Sequence, residues 1–90
     1  MNDSERARLE SEQSIGEMHQ RAWIHSVEPF IKAKQAELYA AFTAHPTTDK
    51  DGLMLIKLQV NALMSMGDDF QSYINTGKLA RQQLEENNDE

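Results

Sequence analysis

With 90 residues, 39% of them apolar and 27% charged, the chain holds one small domain at most, and its mean hydropathy of −0.69 is polar for a self-contained globule. The absence of cysteine excludes structural disulfides and thiol chemistry, and a net charge of −6 with a pI near 4.9 disfavours tracking a nucleic-acid backbone by counterion release. A small helical unit without disulfides or metal needs unusually good packing, a copy of itself or a larger partner, so self-association or docking on a protein is expected.

Residues 1–13 carry one large aliphatic residue, Leu9, after Met1, among alternating charges. They have no apolar stretch of the kind a secretory signal peptide needs, and no part of the chain approaches the roughly 18 uninterrupted apolar residues of a membrane span. The expected location is therefore inside a cell, or within a particle assembled in one. Ser14, with Glu17 three residues later, has the form of a capping box and predicts a helix starting near Ile15. Met18, Ala22, Trp23 and Val27 then form a short apolar strip.

Pro29 predicts a break around Ser26 to Glu28, because an interior proline loses a hydrogen bond and clashes with the preceding turn. At the first helical position it is tolerated, so a second helix is expected from Pro29 to Ala44, with Phe30, Ile31, Leu38, Ala41 and Phe42 largely on one side. His45-Pro46-Thr47-Thr48-Asp49 reads as a stop and a turn, with Thr48 as the next N-cap and Asp51 three residues on. So short a loop makes the flanking helices antiparallel neighbours.

The last helix is expected from about Lys50 to Ile74, with a continuation through Gly77 to Glu86 left open. Leu53, Ile56, Val60, Leu63, Gly67, Phe70, Ile74 and Gly77 follow at alternating spacings of three and four, the pattern of a helix-packing seam. Each interior glycine costs about 1 kcal/mol against alanine. Gly67 is too deep in the pattern to be a cap and reads as a close helix crossing or a bend, whereas Gly77 also fits a C-cap. The seam outruns the helix opposite it. The excess is to be covered by residues 15–27, by a second subunit or by another protein.

No constellation in the chain supports catalysis. His19, His25 and His45 are the only conceivable metal nitrogens; the first two are six apart and diverge on a helix, and His25 with Glu28 falls at the expected break. Asp68 and Asp69 are neighbours whose carboxylates diverge by about 100° on a helix, unlike a catalytic pair converging across a cleft. Ser65 and Ser72 have no base at a useful spacing, and Gly16, Gly52, Gly67 and Gly77 are too scattered for a phosphate loop. No metal, cofactor or small-molecule substrate is expected. Met54, Met64 and Met66 read as core filler or as an adaptable binding surface, and Trp23 as an interface anchor or as internal packing.

The closing Tyr73-Ile74-Asn75-Thr76-Gly77-Lys78-Leu79-Ala80-Arg81-Gln82-Gln83-Leu84, after a Pro-started helix, a polar linker and a leucine-rich helix, resembles short acidic helical proteins of tailed bacteriophages. The likeness covers residues 27–86, with Asn75 where an acid would be expected. It implies a small virion or assembly component and transfers no catalytic residue.

The expected fold is all-α: an antiparallel helical hairpin over residues 15–86 with a long C-terminal helix and a short extra N-terminal helix. A flexible segment at 1–14 and a disordered acidic tail at 87–90 flank it. The expected function is a non-enzymatic protein-interaction module, structural, scaffolding or accessory in a phage particle, packing through Trp23, Val60, Leu63, Gly67, Phe70 and Ile74 against copies of itself or a partner. The alternative is a small regulator or inhibitor of a host or phage protein. Acidic mimicry of nucleic acid is disfavoured, because residues 52–67 contain no carboxylate.

Overall fold

The computed structural model describes residues 1–88 and is an all-α hairpin. Helix α1 (Asp3–Ala22), a π-helical turn (Trp23–Val27) and α2 (Glu28–Ala44) run on as one arm, and α3 (Lys50–Asn88) returns antiparallel to it. The molecule measures 64 × 21 × 15 Å, a single layer of two helices each about 10–12 Å across.

The N-terminal expectation needs correction. Residues 1–14 are not a loose segment and no separate helix starts at Ser14: α1 begins at Asp3, where the Asn2 side chain accepts from the Glu5 N–H at 2.7 Å. That cap satisfies a free first-turn donor twelve residues before the expected one. Arg8 and Glu12, one turn apart at 3.9 Å, add a weak surface pair. Leu9, the lone aliphatic of this stretch, is only 2% exposed, so burial secures what local propensity starts.

Pro29 widens the helix instead of breaking it. The Glu28 N–H donates to the Trp23 carbonyl, five residues back, and this wider turn precedes the ring that would otherwise strike the helix. The extra residue also preserves the packing face. Trp23, Val27 and Ile31 are four apart, and in a regular α-helix each such step would rotate about 40° off the seam. The π turn absorbs that drift, and all three point at α3.

At the loop, His45 is extended, as a residue before proline should be. The N-cap of α3 is Asp49, not Thr48: its Oδ1 accepts from the Gly52 N–H at 3.1 Å, and its Oδ2 lies 2.7 Å from His45 Nε2. These two partners, Gly52 first, hold the Asp49 carboxyl below the ordinary aspartate range. The tail expected at 87–90 begins with Asn87 inside α3, while Asp89 and Glu90 lie outside the described residues.

Helix α3 passes Gly77 without interruption, and no described glycine has positive φ, so Gly77 is not a C-cap. The α3 seam is buried as its spacing predicts at Ile56, Leu63, Gly67, Ile74 and Gly77, then moves to Ala80, 1% exposed. Opposite it lie Leu9, Gly16, Ile31 and Leu38. The overhang of α3 is thus covered from within the chain, by α1.

Candidate interaction surface

The two arms touch backbone to backbone at one level. A Cβ on Gly16 would stand 2.6 Å from Gly77 Cα and 3.0 Å from the Tyr73 carbonyl oxygen; one on Gly77 would stand 2.7 Å from Gly16 Cα. Only glycine at both positions allows this approach. Gly67 does a different job: the nearest atoms to its missing Cβ are Ile31 Cδ1 at 3.4 Å and the Trp23 ring at 3.6 Å, ordinary packing distances. It is a hollow that receives two side chains, and the close crossing expected there belongs to Gly77, with Gly16 as its partner.

Next to the crossing, aromatic side chains bridge the arms. The His19 ring stacks on Tyr73 at 4.5 Å between centroids and lies 5.3 Å from Phe70, which in turn is 6.3 Å from Trp23. His19 Nδ1 lies 2.8 Å from the Ile15 carbonyl oxygen, to which it donates when it carries the proton. The Trp23 indole N–H donates to Glu28 Oε2 at 2.7 Å, and Glu28 Oε1 meets Lys32 at 3.1 Å. Lys32 chiefly, then Trp23, holds the Glu28 carboxyl below the ordinary glutamate range.

The six residues expected to mediate packing are therefore engaged inside the chain. Leu63 and Ile74 are buried hydrophobics, Gly67 is buried, and Trp23, Val60 and Phe70 are half-buried between the arms. Of the three methionines, only Met66 packs on the core; Met54 and Met64 are exposed. Phe30 and Phe42, expected on the inner side of α2, are also more than half exposed, because Ile31 and Leu38 occupy the seam.

What remains open is the loop half of the hairpin. There, away from the glycine crossing, α2 and α3 border a groove of about 680 Å³, lined by Leu38, Tyr39 and Phe42 on one side and Met54, Ile56 and Val60 on the other. Tyr39 is 70% exposed, and Phe42 and Met54 more than half, although all three are large and apolar or aromatic. Lys50 and Lys57 also line the groove. Leu55 and Leu58 are exposed nearby on α3. The sequence did not mark this groove, since Phe42 shares a side of its helix with Ile31 and Leu38, and only their burial in the seam leaves it outside.

Protein-family models, curated proteins and solved structures yield no match to this chain. Its function must be read from the surface itself. Among the described residues, no three His, Cys, Asp or Glu side chains converge as a metal site would require, and no helix is long and apolar enough to cross a membrane.

Proposed function

We propose that this protein is a helical protein-interaction module that binds through the apolar loop half of the hairpin. On the resemblance of residues 27–86 to small acidic proteins of tailed bacteriophages, we place it as a structural, scaffolding or accessory component of particle assembly. The observation that carries the reading is the open groove between α2 and α3, with Tyr39, Phe42 and Met54 more than half exposed at its walls. Contiguous exposed apolar surface beside polar residues marks binding sites in soluble proteins. The role proposed is non-enzymatic.

A photo-crosslinking amino acid placed at Tyr39, and as a control at exposed Ser11 in α1, tests this in cells that make the chain. Irradiation is expected to give discrete protein adducts from position 39 and few from position 11. No adducts from position 39, or equal yields from both positions, would overturn the reading.

A further inference from the structure

We infer that the occupant of the groove is a second copy of this chain, in an antiparallel dimer whose loop halves overlap and whose terminal halves point apart. The inference rests on the interaction-module reading and names its partner.

Charge is the first ground. Between Glu28 and Asn61 the lysines Lys32, Lys34, Lys50 and Lys57 balance Glu28, Glu37, Asp49 and Asp51, so the loop half is neutral. The net charge of −6 therefore falls outside this half, in the two terminal stretches, whose described residues lie side by side at the other end of the hairpin and are themselves acidic. Two copies overlapping at their loop halves bring neutral surfaces together and keep the acidic ends as far apart as the molecule allows. Any arrangement that overlaps the terminal halves sets like charge against like.

Self-complementarity is the second. A two-fold interface uses one patch twice, so that patch must offer both projections and a hollow. Here Tyr39 and Phe42 project from the wall of the same groove that could receive their counterparts.

The third is area. Helix α2 spans about 25 Å, and with a hairpin width of 21 Å the loop half presents roughly 500 Å² in projection. Over two copies that is roughly 1,000 Å², the lower bound of a specific interface. Among the described residues no large side chain is completely enclosed, so a second layer would supply the interior that one layer lacks.

Light scattering on the full chain at rising concentration is expected to give twice the 10.3 kDa chain mass. The chain has no cysteine, so single Thr47→Cys and Ser4→Cys variants each carry one spin label. At 1.5 Å per residue from the level of Leu38 and Ile56, paired Thr47 labels should lie about 25–30 Å apart and paired Ser4 labels about 100 Å apart. Tyr39→Glu should be a monomer with unchanged helical circular dichroism; if that variant unfolds, the wild-type mass and label distances decide alone. A monomer at every concentration, or close Ser4 labels with distant Thr47 labels, overturns the inference. A monomer that still crosslinks from position 39 to a different protein overturns the second copy and leaves the module reading standing, whereas no adduct at all removes both.

Discussion

Glycine shows how one residue type does opposite work in one chain. At Gly16 and Gly77 an added methyl group meets backbone, which cannot rotate away; at Gly67 it meets side-chain ends at packing distance. Gly16→Ala and Gly77→Ala should therefore each destabilise the hairpin, despite the roughly 1 kcal/mol of helix propensity that alanine regains. Gly67→Ala should be neutral or stabilising by up to about 1 kcal/mol. Urea unfolding of the three variants checks this, and equal effects at all three positions would contradict the crossing. The crossing lies at Gly77 and not at Gly67, a distinction that the α3 spacing alone does not carry. Gly16 was legible only with Leu9 and Trp23, each seven residues from it on the same helix face. Trp23 also reports on Glu28. The carboxylate accepts from the indole and from Lys32, so its depressed pKa stabilises the fold above the ordinary glutamate range. That stability is lost as pH falls through the folded value. The emission of this single tryptophan should change in acid with a midpoint below that of free glutamate, and the step should vanish in Glu28→Gln. A midpoint unchanged by that substitution would show that Glu28 is not the titrating group.

At the scale of elements, the second helix, the loop and the start of the last helix near Lys50 were readable, because the seam spacing and Pro46 act locally, while the run of α3 past Ile74 was left open. The first arm was not. Residues 1–14, with Leu9 as their one large aliphatic after Met1, were expected to be flexible, whereas Leu9 is buried in the closed hairpin, a contact made only in the folded chain. Leu9→Ala should cost about 2–3 kcal/mol, as burial of a leucine predicts; chemical denaturation showing no loss would return residues 1–14 to the status of a loose segment. The π turn was equally hidden. A proline announces a disturbance but not its form, and here the eight-residue step from Trp23 to Ile31, one more than a heptad, is its only trace. The open groove escaped for a related reason: seam residues were expected to face a partner, whereas in the closed hairpin they pack on one another and leave Tyr39, Phe42 and Met54 outside.

The whole molecule divides its work by halves. The terminal half is acidic and joined by the glycine crossing and the aromatic bridge; the loop half is neutral, more open and apolar on its surface. The central claim is that the exposed apolar side chains of the loop half serve binding and not the hairpin's own core. Melting temperature as a function of protein concentration tests it most directly, because association stabilises by mass action and internal packing does not. The wild-type chain should melt higher as concentration rises, and a Tyr39→Ser, Met54→Ser double variant should melt at one temperature throughout. A wild-type melting temperature independent of concentration, with the double variant melting lower at every concentration, would show that these side chains belong to the fold instead.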